Sequence, residues 1–271
     1  MKEKDNMYIK KRIDNIFLKV VAPIVLLLVW YIGSVTGILN KHILPSPVKV
    51  GETLIKLIGN GELAENLLVS GGRVIKGFAL GSAIGILSGV LMGLSKKLNK
   101  IHSSLVSIFR PIPMIAWIPL LILWLGIGEG SKVAVIIIGT LWPVLLNTIS
   151  GILSADKKLL EVARVLEKNK KEVLFNVILP SAWPSIFTGI RLGVSTAWTC
   201  VVAAEMVAAS SGIGYMITYA RELSQPDVVL AGVFTIGIVG LLIDFMIVKL
   251  QKRLLRWNYI QQGRLTIKSQ V

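Results

Sequence analysis

The sequence predicts an all-α protein that crosses a membrane several times. Apolar residues make up 54% of the 271 positions, and mean hydropathy is +0.71. Several apolar runs reach the roughly 20 residues that one helix needs to cross a bilayer core. Lipid offers no partner to an open backbone group, so each run must satisfy its own amides and carbonyls as a helix. The runs place spans at about 16–38, 67–94, 104–127, 132–153, 183–208 and 227–250.

The net charge of +15 raises nucleic acid as a partner, but the basic residues are sorted by loop. Lys2, Lys4, Lys10, Lys11, Arg12 and Lys19 precede or open the first span, and Lys96, Lys97 and Lys100 follow the second. Lys157, Lys158, Arg164, Lys168, Lys170 and Lys171 fall between the fourth and fifth, and Lys249, Lys252, Arg253, Arg256, Arg264 and Lys268 close the chain. The opposite loops hold Lys41, Lys49, Lys56, Lys132 and Arg221. Cytoplasmic loops collect Lys and Arg. Both termini and the 154–180 segment are therefore expected on the cytoplasmic side of a cell membrane. Topology accounts for the charge, and no nucleic acid is expected.

The first apolar run is too long for a cleaved signal peptide and has no A-x-A site after it, so it is expected to stay as a span. The loop at 39–66 begins "LPSPVKV", where two prolines forbid a continuing helix. A short surface helix with Leu54, Leu57 and Ile58 on one face is expected after it. The second span carries Gly77, Gly81, Gly85, Gly89 and Gly93 at intervals of four, one bare face along which another backbone can approach closely. Pro111, Pro113 and Pro119 kink the third span and free carbonyls that need partners. "GIGEGSK" at 126–132 is a turn and not a nucleotide-binding loop, because Ser131 separates Gly130 from Lys132. Cys200, the single cysteine, excludes an intramolecular disulfide or a cysteine metal cluster and reads as a small packing residue.

The segment "EVARVLEKNKKEVLFNVILP" at 161–180 is a polar island between apolar runs. Asp156 is a candidate N-cap for a first short helix with Leu159, Leu160, Ala163 and Leu166 in a stripe. Val173, Leu174, Val177 and Ile178 form a second stripe beyond a polar break at 168–171, and Pro180 resets the chain before the fifth span. Helices of two to three turns are marginal alone, so their apolar faces need burial, either on the membrane interface or on a protein partner.

The spacing of the island resembles the signature of permease subunits of bacterial ABC importers, E-A-A-x-x-x-G followed nine residues later by I-x-L-P. Glu161, Val162 and Ala163 take the first three places, and Val177, Ile178, Leu179 and Pro180 the last four. Glu167 stands where the family has glycine, a residue suited to a left-handed helix C-cap; Asn169 is expected to take that conformation instead, with the first helix running slightly longer. "SGGRVIKGFALGSAIGILSGVLMGLS", "RPIPMIAWIPLLILWLGIGEGSK", "WPVLLNTISGI" and "AAEMVAASSGIGYMI" are similar to the nitrate, sulfonate and taurine branch, so that the likeness covers about residues 44 to 257. It implies a type I importer permease fold. Residues 1–66 would hold the tail, first span and outer loop, residues 67–250 the permease core with a coupling loop at 154–180, and residues 251–271 a cytoplasmic tail. It also implies Glu161, Ala163, Leu166, Leu179 and Pro180 as the loop that docks on an ATPase.

The implied partners are a second permease copy in a homodimer, two cytoplasmic ATPase subunits that carry Mg-ATP, and an extracytoplasmic solute-binding protein. This chain itself is expected to carry no cofactor and no catalytic or metal site, and the solute is expected to be a small anion such as a sulfonate, taurine or nitrate. A stand-alone secondary transporter is the runner-up, disfavoured by the lack of an evident internal repeat. A membrane-embedded enzyme is disfavoured because His42 and His102, the only histidines, both read as loop residues.

Ionisable residues within spans are costly and so are candidates for the pathway or gate. Arg73, Lys76 and Arg110 sit close enough to span ends to snorkel. Arg191 either bonds a carbonyl at a proline kink or lines an anion path. Glu205 belongs to the outer gate or binding-protein contact, or touches solute. Trp198 packs in the interior by default, and Asp244 reads as a polar helix contact.

Overall fold

The computed structural model describes residues 21–40 and 42–255. The basic N-terminal residues, the start of the first expected span, Lys41, Arg256, Arg264 and Lys268 lie outside the described residues.

The described chain is helical. It runs through α1 (Val21–Val35), α2 (Pro47–Gly59), α3 (Glu62–Leu94), α4 (Lys96–Phe109), α5 (Met114–Leu125), α6 (Glu129–Leu153), α7 (Lys157–Val165), α8 (Lys170–Val173), α9 (Leu179–Ala208), α10 (Ile213–Glu222) and α11 (Pro226–Leu254). Four stretches are long and apolar enough to cross a membrane: α3, α6, the run Lys170–Ala208 and α11. A fifth arises if α4 and α5 together make one span.

That fifth differs from the expected kinked helix at 104–127. The chain breaks between Phe109 and Met114 and turns by 95°. Pro111 and Pro113 each lack an amide donor and clash with the carbonyl one turn back, so two prolines within three residues end the helix rather than bend it. His102, expected in a loop, lies in α4.

Two compact units can be distinguished among the described residues. The first joins the chain up to Leu63 with Ile217–Phe234. Here Ser46 caps α2 by accepting from the Lys49 amide, and Pro47 supplies the fixed φ suited to a first helical turn. The buried face of α2 is Val50, Thr53 and Leu57 rather than the expected Leu54, Leu57 and Ile58, because Thr53 Oγ1 donates to Asp227 Oδ2 at 2.7 Å. Trp30 donates to the Pro45 carbonyl at 3.1 Å and stacks on Phe234.

The second unit, Ala64–Met216 with the chain from Thr235, is organised around α6. The five glycines of α3 all face it. A Cβ at Gly77, Gly81, Gly85, Gly89 or Gly93 would meet Ile136, Thr140, Val144, Thr148 or Ile152 in turn. Both series advance by four in the same direction, so α3 and α6 lie parallel in register over more than four turns. On its other side α6 meets α9 running antiparallel: Gly139 abuts Cys200, Gly151 abuts Ala182 and Ser185, and Gly189 and Gly193 abut Val144. Val144, fully buried, is thus held between glycines of two neighbouring helices. Glycine-lined contacts let helices approach closely enough for dispersion to hold them where no hydrophobic force operates.

Candidate functional site

Two features stand out: the island and a set of charged groups within the helices. In the island, Asp156 caps α7 as expected, accepting from the Lys158 amide at 2.9 Å. The helix ends in a Schellman turn, where the Lys168 amide donates to the Ala163 carbonyl and the Glu167 amide to that of Arg164, both at 3.0 Å. Glu167 takes the left-handed position itself, at φ 51°.

The expectation for Asn169 is therefore overturned. Asn169 is extended and caps the next helix in a reciprocal box with Glu172, its Oδ1 accepting from the Glu172 amide at 2.8 Å. Two caps back to back fix the tip of the island, at the cost of one strained glutamate. Glu167→Gly is expected to remove strain of about 1 kcal/mol, seen as roughly fivefold slower amide exchange at residues 167–168. Unchanged exchange would mean that the turn carries no strain.

A second correction concerns Pro180. Instead of two short helices followed by a reset, α8 continues through a π-helical turn, Leu174–Ile178, into α9. The Leu179 amide reaches back five residues to the Leu174 carbonyl. This wider turn spreads the carbonyls ahead of Pro180 and relieves the clash of its ring with the preceding turn. The result is one helix of 39 residues, Lys170–Ala208.

Ala163 is 5% exposed and lines a small cavity with Val173 and Val177, so it packs the two arms of the island together. The apolar residues that remain uncovered on the first arm are Leu159, Val162, Val165 and Leu166, the last two 82% and 62% exposed. Glu161 and Pro180 are exposed and Leu179 is half-buried.

Within the helices, Arg73 does not snorkel. It is 4% exposed and donates to Glu205 Oε1 at 2.8 Å, to both oxygens of Glu129 and to the Ser211 carbonyl at 2.7 Å. Glu205, 1% exposed, also accepts from Ser70 Oγ and from the Gly214 amide at 2.9 Å. Ser70 Oγ in turn accepts from the Ile213 amide at 3.0 Å. Lys132 lies 3.6 Å from Glu129. Two cations and two carboxylates thus join α3, α6, α9 and the 209–214 loop at the end of the bundle remote from α7. Gly212, at φ 107°, lies so close to the Glu205 carboxyl that no side chain fits there. Both oxygens of Glu205 accept from protein donors, the arrangement a buried carboxylate requires.

Arg191 has a carboxylate partner: its Nε and Nη2 donate to the two oxygens of Asp244 at 2.7 and 2.8 Å. This fork ties α9 to α11, and Asp244 is the helix-contact group expected of it. Trp198 is buried in the core of the second unit, and its indole donates to the Ile236 carbonyl at 3.1 Å. Arg191, Trp198 and Glu205 are three separate contacts along one helix, not one site. The pairing of Arg73 with Glu205 was missed in the sequence, although a cation and a carboxylate in different apolar runs are themselves a signal.

Residues 81–256 match the family described as the inner membrane component of binding-protein-dependent transport systems. A Bacillus subtilis chain named for aliphatic sulfonates transport is 40% identical over 241 residues, 89% of this chain and 87% of that one. The taurine transport system permease protein of Escherichia coli is 35% identical, over 86% of this chain and 87% of its own length. Among solved structures, an inward-facing MetNI methionine ABC transporter superposes with a TM-score of 0.64 at 20% identity, covering 71% of this chain and 95% of that one. The helical arrangement is thus that of an importer permease, and the likeness to the solved structure bears on the fold alone.

Proposed function

This chain belongs to the binding-protein-dependent transport system inner membrane components, and from that premise we propose how it is coupled and what it carries. It is the membrane-spanning permease subunit of an ABC importer and not an enzyme; ATP hydrolysis resides on a separate subunit. Permeases of this family work with an ATPase and a solute-binding partner. The proposed assembly has two copies of this chain, two ATPase subunits holding Mg-ATP on the cytoplasmic side, and an extracytoplasmic binding protein. Both termini and the island face the cytoplasm, as the distribution of Lys and Arg supports. The proposed cargo is a small anion of the sulfonate or nitrate type, a reading supported by the names of the relatives.

The observation that carries the coupling is the uncovered row Leu159, Val162, Val165 and Leu166 on a helix outside the spans. Two caps hold this row in place, and its arm packs on a helix that continues unbroken into the membrane. Docked in a cleft of an ATPase, the row gives nucleotide-driven closure a differential hold on two permease states, the requirement for alternating access. Leu166→Asp tests this directly. Its side chain is exposed, so the variant is expected to reach the membrane in normal amount with an unchanged thermal midpoint. The ATPase is expected to be lost on purification and uptake to collapse, because a carboxylate in an apolar cleft costs several kcal/mol. An island that merely lies on lipid headgroups would keep its ATPase, and that result would sink the coupling assignment.

A further inference from the structure

Charge pairing within the spans leaves one arginine over. Arg73 and Lys132 are matched by Glu129 and Glu205, and Arg191 is matched by Asp244. Lys76 is exposed on α3, long and flexible enough to reach the interface. Arg110 stands at the break between α4 and α5, inside the expected third span, and no carboxylate pairs with it among the described residues. It borders an open groove of about 460 Å³. The other walls come from the middle of α6, with Trp142, Leu146 and Asn147, and from α9, with Leu192 and Thr196. The Asn147 amide donates to the Pro143 carbonyl at 2.8 Å and the Thr196 hydroxyl to the Leu192 carbonyl at 2.9 Å. Those contacts use up a donor on each residue, while all the guanidinium donors of Arg110 remain for a guest.

We propose that this groove is a transient subsite for an oxyanion on its way through the membrane, with Arg110 as its charge partner. This deepens the reading of the chain as an importer of small anions and rests on it. An ionisable residue within an expected span that keeps no carboxylate partner is by default a candidate for contact with a passing solute. The helix break positions Arg110 where a passing anion, rather than a fixed carboxylate, neutralises it. A permanent partner such as that of Arg191 would make the site a structural tie, whereas an unpaired guanidinium binds and releases. Trp142 in the wall attracts no anion itself, but it reports on what enters. The planar fork of Arg110 suits the oxygens of a sulfonate or nitrate.

The experiment uses the permease purified with its ATPase in nanodiscs, and iodide as the probe. The emission attributable to Trp142, defined by difference from Trp142→Phe, is quenched with iodide and separately with neutral acrylamide. Iodide quenching is expected to fall by about threefold in Arg110→Gln, as local anion concentration drops with the loss of one cation in a low-dielectric cleft. It should return in Arg110→Lys, with acrylamide quenching equal in all three. With Arg110 in place, methanesulfonate should protect Trp142 from iodide and the neutral dimethyl sulfone should not; this arm needs no substitution of Arg110. Equal iodide quenching in Arg110→Gln, or equal protection by dimethyl sulfone, would overturn the anion subsite. Failure of the importer reading would show differently, as absence of a co-purifying ATPase from the unmodified protein, whatever iodide does.

Discussion

Glu205→Leu is expected to destabilise the folded chain severely. It leaves Arg73 half-neutralised at 4% exposure and strips the acceptor from Ser70 and from the Gly214 amide. Breaking one side of a buried ion pair costs about 3–5 kcal/mol, enough to reduce the yield of monodisperse protein sharply and lower its thermal midpoint by many degrees. The double variant Arg73→Met with Glu205→Leu is expected to recover much of the loss. Glu129, whose side chain is 62% exposed, then keeps Lys132 as its partner at 3.6 Å, and no unpaired charge is left at the site. Wild-type melting of Glu205→Leu, or a double variant no better than the single, would mean that the network contributes shape and not charge pairing. Glu205→Gln, which keeps an acceptor, should fall between the two.

The second large effect is expected at Gly81. A Cβ there would lie 2.7 Å from the Ile137 carbonyl oxygen and 3.2 Å from the Ile137 Cα, atoms of a backbone that cannot rotate away. At Gly85 the nearest obstacle is the Val144 side chain at 3.0 Å. Gly81→Leu should therefore separate α3 from α6 and prevent accumulation of folded protein, and Gly81→Ala alone should cost about 1–3 kcal/mol by overpacking. Gly85→Ala should be milder and partly relieved by Val144→Ala, whereas no truncation of a partner side chain should relieve Gly81→Ala. Thermal melting of the four variants in one detergent decides it. A tolerated Gly81→Leu would place that face of α3 elsewhere than against α6.

The glycine face was legible in the sequence because its signal is local: five residues at one spacing on one helix. Its counterpart on α6, Ile136 to Ile152 at the same spacing, carries the matching signal, but only the pair gives the parallel register. The charged network was legible as residues and not as contacts, since Arg73 and Glu205 are separated by 132 positions and meet only through the packing of α3 on α9. The turn of the island was misread at one point with an available cue. Asn169 with Glu172 three residues on is a capping box, so Asn169 was committed to starting a helix and unable to end the previous one. Pro180 misled for the opposite reason. Here one widened turn ahead of the proline let the chain pass without a break. Helix α10 was absent from the expectations because ten residues with mixed polarity give a weak period, although Met216, Ile217 and Ala220 are buried at helical spacing.

That widened turn has a mechanical consequence. A rod of 39 residues is about 58 Å long at 1.5 Å per residue. In the proposed assembly one end would be seated on the ATPase, and with a fulcrum at the glycine contacts of α6 the rod would act as a lever. A tilt of about 5° shifts its far tip by about 5 Å relative to the near one. Glu205 sits close to that tip, bolted through Arg73 to α3, so on the proposed docking the stroke would reach the opposite mouth of the protein as a displacement of two helices together.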